Sequence, residues 1–284
     1  MVGSPIRLGL IGGNIAESKA PELHVIAGRL CGLPVTYELL RPDDFGRSFE
    51  DVLWQCRDDG FRGVNITYPY KERVVAHLAL ADPAVQAMGA CNTVLFEPGG
   101  PRGLNTDYSG FIVGYRNTFG NASPGRVALA GAGGVGRAIG FALARLGADE
   151  LRLFDLDPQK AEALADAIRA VHGHTVIRIS ESVEEAAGGA DGLVNATPLG
   201  MGGIGGCPFP PELIAGQRWA FDAIYTPVDT PFMLAARAAG LAAMSGYELF
   251  LYQGIDAFQH FTGRNVAEDR LRAELMRAHD RVPV

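Results

Sequence analysis

The chain has 284 residues, 48% apolar and 20% charged, with a formal net charge of −7, which suits a well-packed globular protein of two ordinary domains. The acidic balance gives nucleic acid or an anionic membrane no footing, and no apolar run approaches the ~20 residues that span a bilayer. The start of the chain lacks a signal peptide's long apolar core, and the four cysteines (Cys31, Cys56, Cys91, Cys207) form no C-x-x-C pair, so reduced thiols in a cytoplasm are expected.

The predicted elements alternate strand and helix throughout, the pattern of a sheet with helices on both faces. Ile6 to Ile11 is an apolar strand closed by Gly12-Gly13, and a helix runs from Pro21 to near Gly32. Val35 to Leu40 is a second strand, followed by helical spacing from Phe45 to Cys56. Gly63 to Pro69 is a third strand broken by its proline, and short helical pieces are expected over Lys71–Leu80 and Ala84–Met88. Cys91 to Phe96 and Gly103 to Thr106 form a strand pair around the turn at Glu97–Pro101. A helix from Asp107 to about Phe119 then leads to a junction at Asn121–Gly125. The second domain follows, with strands expected at Val127, Leu151, Val176, Gly192 and Trp219. After Gly246 come only helices, Glu248 to Thr262 and Ala267 to His279, which most simply pack back onto the first domain.

The segment most telling of chemistry opens the second domain. A short apolar strand (Val127 to Ala130) feeds Gly131-Ala132-Gly133-Gly134-Val135-Gly136, and an alanine-rich helix pattern begins at the third glycine of the G-x-G-x-x-G pattern. Gly131 permits the tight turn, Gly133 lets the backbone approach a pyrophosphate, and Gly136 lets helix and strand pack closely. The helix start adds free N–H groups and the positive end of its dipole. A second apolar strand ends at Asp155, where a carboxylate accepts from both ribose hydroxyls of NAD and repels the extra phosphate of NADP. Asp155 or Asp157 also suits the cap of a helix starting at Pro158; Asp157 fits that cap better. NAD is the expected cofactor, with NADP the lesser alternative. His172 and His174 lack a third nearby ligand, so no metal is expected.

In the first domain polar residues gather just past the apolar runs, where ligands bind in open α/β sheets. They are Ser18 with Lys19, Asn65 with Thr67 and Lys71, Asn92 with Thr93, and Asn105 with Thr106 and Asp107. Lys71 stands beyond a strand and a proline at an expected helix start, where a lysine opposes the dipole and gains nothing structurally. Asp107 has a structural alternative, since Thr106 or Asp107 could cap the following helix.

These residues resemble a family. Asn65-Ile-Thr67-Tyr-Pro69-Tyr-Lys71 is similar to the N-[VI]-T-x-P-x-K segment of shikimate dehydrogenases. Gly89 to Thr93, Gly103 to Gly110, Gly131 to Ile139, Asn195 to Met201, Asp222 to Pro227 and Gly246 to Gln253 follow in the family's order. The resemblance implies an α/β fold of two domains with a cleft between them. One is an N-terminal substrate-binding domain (1–120, completed by 246–284), and the other a Rossmann dinucleotide-binding domain (121–245). It implies a catalytic pair, Lys71 and Asp107, and substrate contacts from Ser18, Thr67, Asn92, Asn105, Tyr225 and Gln253. Asn195, Thr197 and Leu199 would line the nicotinamide end, with Gly246 also at the cofactor. The partner is then a small molecule, and the protein a monomer or homodimer.

The first loop departs from the family pattern G-x-P-I-x-H-S-x-S-P. The chain keeps Ser18, but Ala20 replaces the second hydroxyl and Glu17 the usual histidine. A lost hydroxyl weakens carboxylate binding by about 1 kcal/mol unless water fills its place. With Asp155, this moves the resemblance toward NAD-using quinate/shikimate dehydrogenases, which break down these cyclitol acids. The alternatives are an NADP-using biosynthetic shikimate dehydrogenase, an aminoshikimate-type enzyme, or a non-catalytic NAD and quinate sensor. Methylenetetrahydrofolate dehydrogenases share only the architecture.

Overall fold

The computed structural model describes residues 4–279, in which strands and helices mostly alternate, with β-strands also following one another at Thr93–Glu97 and Gly100–Leu104. Two compact units result. One comprises the residues up to Val85, Gly89–Thr106 and those from Gln253 onward; the other comprises Gln86–Met88 and Asp107–Tyr252.

In chain order the elements of the first sheet and its helices are β1 (Ile6–Ile11), α1 (Ala20–Leu30), β2 (Val35–Leu40), α2 (Phe49–Asp58), β3 (Gly63–Ile66), α3 (Pro83–Met88), β4 (Thr93–Glu97) and β5 (Gly100–Leu104). The strand order is β2-β1-β3-β4-β5, with β2, β1 and β3 parallel and β4 and β5 antiparallel. Helix α2 starts on a capping box. Ser48 Oγ accepts the Asp51 N–H at 3.1 Å, and the Asp51 carboxylate accepts the Ser48 N–H at 3.3 Å. Its apolar face (Phe49, Val52, Leu53, Cys56) packs on Ile11, Val64 and Ile66. Each such fully buried side chain contributes roughly 1.5–3 kcal/mol. Ala257 and Phe261, late in the chain, join Leu8 and Leu95 in a second cluster.

The remaining elements are α4 (Thr106–Phe119), β6 (Arg126–Ala130), α5 (Gly134–Arg145), β7 (Glu150–Phe154), α6 (Pro158–Val171), β8 (Val176–Ile179), α7 (Val183–Ala187), β9 (Gly192–Asn195), β10 (Trp219–Asp222), α8 (Pro231–Ala238), β11 (Ala242–Met244), α9 (Gly246–Thr262) and α10 (Glu268–His279). Strands β6 to β11 make a sheet in the order β11-β10-β9-β6-β7-β8, parallel at every pairing. That is the doubly wound order of dinucleotide-binding domains, and it reverses direction between β6 and β9. Strands β9 and β10 are buried at every residue, as parallel strands covered on both faces must be. At the reversal Ala130, Asn195 and Asp222 stand in register at the carboxyl ends of β6, β9 and β10.

Two local expectations change. The helix expected over Lys71–Leu80 is a single 3-10 turn, Arg73–His77, after which Ala79 bridges to Arg102 beside β5. Lys71 therefore lies in a turn and not at an α-helix start. The second sheet also has a sixth strand, β11, three residues long and at the edge, too short and too alanine-rich for a strand pattern to announce it. Among the described residues no helix is long and apolar enough to cross a membrane, and no group of three His, Cys, Asp or Glu could hold a metal ion.

Candidate active site

At the carboxyl end of β6 the three glycines have three different surroundings. Gly131 has φ +97°, and a Cβ there would lie 2.7 Å from the Ala196 carbonyl. A Cβ on Gly136 would lie 2.0 Å from the Gly131 oxygen. A Cβ on Gly133 would meet nothing within 4 Å. Two positions are closed by the protein's own packing, and the middle one faces open space, as a backbone that approaches a pyrophosphate requires. Gly133 is also the N-cap of α5, so the first N–H groups of that helix, on Gly134 and Val135, have no intrahelical acceptor. The residues present fit a dinucleotide.

Asp155 follows β7 and reaches back to this loop. Its carboxylate accepts the Ala132 N–H at 2.7 Å and the Asp157 N–H at 2.9 Å. Asp157 caps α6, accepting the Gln159 N–H at 3.1 Å. Each Asp155 oxygen keeps a second lone-pair direction for a ribose hydroxyl. The neighbouring Leu156 is 93% exposed.

The loop after β9 is organised by Asn195, which is fully buried. Its Oδ1 accepts from Thr197 N at 2.9 Å and Thr197 Oγ1 at 2.7 Å; its Nδ2 donates to the Leu199 carbonyl at 3.2 Å and to Asp222 at 3.0 Å. With the whole amide committed, Asn195 shapes the loop and offers its side chain to no ligand. Thr197 is half-buried and Leu199 exposed, so the outward surface here belongs to them. Tyr225 stacks on Phe250 at 4.9 Å, and Gly246 leaves room for the β10 exit, since a Cβ there would lie 2.3 Å from the Ile224 oxygen.

The first sheet presents a different chemistry. The Thr67–Lys71 turn is held at both ends: Thr67 N donates to the Ile11 carbonyl at 3.0 Å, and the Lys71 carbonyl accepts Cys91 N at 2.8 Å. The Lys71 side chain is half-buried. Ser18 Oγ accepts the Ala20 N–H at 3.3 Å and so helps start α1. Asn92 is buried, and its Oδ1 accepts from Thr106 N at 2.7 Å, Thr106 Oγ1 at 3.1 Å and Thr93 Oγ1 at 3.0 Å. Asn105 Nδ2 donates to the Ala90 carbonyl at 2.9 Å. Because Asn92 takes the Thr106 N–H, Asp107 is not the cap of α4; it stands inside the first turn, buried. Gln253 lies half-buried on α9.

Residues 10–94 match the shikimate dehydrogenase substrate binding domain. Over 277 residues the chain is 38% identical to the quinate/shikimate dehydrogenase (NAD(+)) of Corynebacterium efficiens, covering 95% of this chain and 98% of that one. It is 37% identical to the shikimate dehydrogenase (NADP(+)) of Streptomyces avermitilis, with 94% of both chains covered. The chain belongs to the shikimate/quinate dehydrogenase family. The solved quinate dehydrogenase of Corynebacterium glutamicum in complex with NAD superposes with a TM-score of 0.88, at 34% identity and over 96% of this chain and 100% of that one.

Two residues of this shikimate/quinate dehydrogenase have buried partners that the sequence does not show. Asn65 Nδ2 donates to Thr93 Oγ1 at 3.0 Å, and Asn65 Oδ1 accepts the Tyr37 hydroxyl at 2.9 Å. Asp222, in register with Asn195, is fully buried. Asn65 is one of the polar residues just past the apolar runs, and for Asp222 a signal is present in the sequence: a charged residue closing an apolar strand, as at Asp155.

Proposed function

We propose that the chain interconverts a ring secondary alcohol and its ketone on a cyclohexane or cyclohexene carboxylate of the shikimate and quinate class, with NAD preferred over NADP. The observation that carries the cofactor preference is Asp155, tied to Ala132 of the glycine loop. A carboxylate there suits two ribose hydroxyls and opposes a phosphate. The carboxyl ends of the second sheet then form the cofactor side and those of the first the substrate side. Gly131 to Gly136, Asp155, Thr197, Leu199 and Gly246 hold or border the dinucleotide, with Asn195 fixing the loop.

Oxidising a secondary alcohol removes a hydride from carbon and a proton from oxygen. When bound, the nicotinamide exchanges the hydride. Lys71 takes the hydroxyl proton, and as the ammonium it returns that proton to the carbonyl oxygen in the reducing direction. Asp107 orients Lys71 and the ring hydroxyls; a first-turn carboxylate is also favoured by the α4 dipole. Thr67, Asn92 (through Nδ2), Asn105, Tyr225 and Gln253 bind ring substituents. Ser18 meets the carboxylate without a second hydroxyl, because Ala20 stands at that position.

A screen of shikimate, quinate and amino analogues with NAD and with NADP, followed by nicotinamide absorbance, tests the reading. The expected result is turnover of shikimate or quinate, faster with NAD. No turnover of any of them, with dinucleotide still bound, would replace the enzyme by a sensor.

A further inference from the structure

We propose that Asp222 is a positioning residue whose carboxylate holds the Asn195–Leu199 loop and the approach to Tyr225 in one arrangement. This rests on the roles given above to those two segments. The geometry is that of a hub. One oxygen of Asp222 accepts from Asn195 Nδ2 at 3.0 Å and from Ile224 N at 3.0 Å; the other accepts from Thr230 Oγ1 at 2.5 Å. Thr230 in turn accepts the Met233 N–H at 3.1 Å and caps α8. Through Asn195 the hub reaches Thr197 and Leu199, and through Ile224 it reaches the residue before Tyr225. One buried side chain thus joins the exits of β9 and β10 to the start of α8.

The groups around it make this arrangement depend on charge. No ion pair accompanies Asp222 among the described residues, while the α8 region's Asp229 and Arg237 pair with each other. The titratable neighbour is the Cys207 thiol, held up by burial and by the Asp222 charge. Burial pushes the Asp222 carboxyl up to about 6, against the hydrogen bonds from Thr230, Ile224 and Asn195 that favour the charged form. As a carboxylate it accepts all three donors. Once protonated it presents a donor of its own where only acceptors served, and the hub must rearrange.

Asp222→Asn imitates the protonated form at constant shape. In the full chain, dinucleotide dissociation constants by tryptophan fluorescence should rise about tenfold at neutral pH, with turnover falling similarly and substrate KM changing less. The unchanged chain should lose dinucleotide affinity as pH falls through about 6, and the variant should lack that limb. In the ligand-free protein, amide exchange at Thr197, Leu199 and Ile224 should quicken at least about tenfold, with the β6 amides unaffected. Should the chain bind no dinucleotide, the functional reading fails and amide exchange alone decides this one. An Asn variant that keeps the low-pH limb, or exchanges these amides at the unchanged rate, overturns the proposal.

Discussion

The polar networks of the two sheets are built on opposite principles. In the first, Asn65, Asn92, Thr93 and Thr106 link amides to hydroxyls, and buried beside them, with Cys91 and Asp107, is His24. Its ring stacks on Tyr37 at 4.8 Å, its Nδ1 has no partner among the described residues, and burial pushes its pKa down to about 3 against a hydrogen bond with Asn65. In the second, the hub is a carboxylate that burial pushes up to about 6. A neutral network keeps its geometry across the pH range in which proteins work, whereas a carboxylate hub does not. The first sheet is therefore a constant frame for groups that carry charge themselves, such as Lys71. The second is a frame whose own charge selects its shape.

The sharpest way to break this division of labour is Lys71→Ala. Turnover should fall about 10³-fold or more, because a positioned acid–base group contributes on the order of 10²–10⁴. Dinucleotide affinity, measured by fluorescence titration, should stay within about twofold, since Lys71 belongs to the other sheet's turn. Equal losses in both would show Lys71 to be a structural residue and would join the two frames into one.

The converse test is Asp155→Ala. A charge-assisted hydrogen bond contributes about 1.5–3 kcal/mol, so NAD affinity should fall roughly 10–100-fold while NADP, relieved of the opposing carboxylate, is unchanged or tighter. Part of the loss would come from the Ala132 N–H left without its acceptor, and that part affects both dinucleotides equally. The NAD to NADP ratio isolates the ribose contact. An unchanged ratio would remove Asp155 from cofactor selection.

Which parts of this were legible in the sequence follows from range. The glycine loop, the cap at Asp157 and the strand ends were readable because each is a local pattern: apolar run, turn residue, helix former. The Lys71 turn was misread as a helix start because Arg73 to His77 has helical spacing, yet Ala79 is drawn into a bridge with Arg102, and no pattern within the segment announces a partner that far along the chain. The cap of α4 was unreadable for the same reason, since Asn92 arrives from the far side of a hairpin. Asp222 is different. It closes Trp-Ala-Phe as Asp155 closes Leu-Arg-Leu-Phe, but only a register that sets it beside Asn195 shows what it does.

Stability against pH tests the comparison most directly. His24 is depressed from 6.5 to about 3, so between those values the unfolded chain holds a proton that the folded chain lacks, and stability rises with pH. Asp222 is raised from 3.8 to about 6, so between those values the folded chain holds the extra proton, and stability falls as pH rises. Each slope is about 1.4 kcal/mol per pH unit, and from pH ~4 to ~6 they oppose and nearly cancel. Single substitutions remove one side of that balance. Relative to the unchanged chain, His24→Gln should lose stability as pH rises through this window and Asp222→Asn should gain it, with denaturant unfolding at several pH values as the measurement. The slopes of the two variants should have opposite signs. Parallel curves for both variants would mean that neither buried group titrates as its surroundings dictate, and the contrast between a neutral frame and a charged one would fall with them.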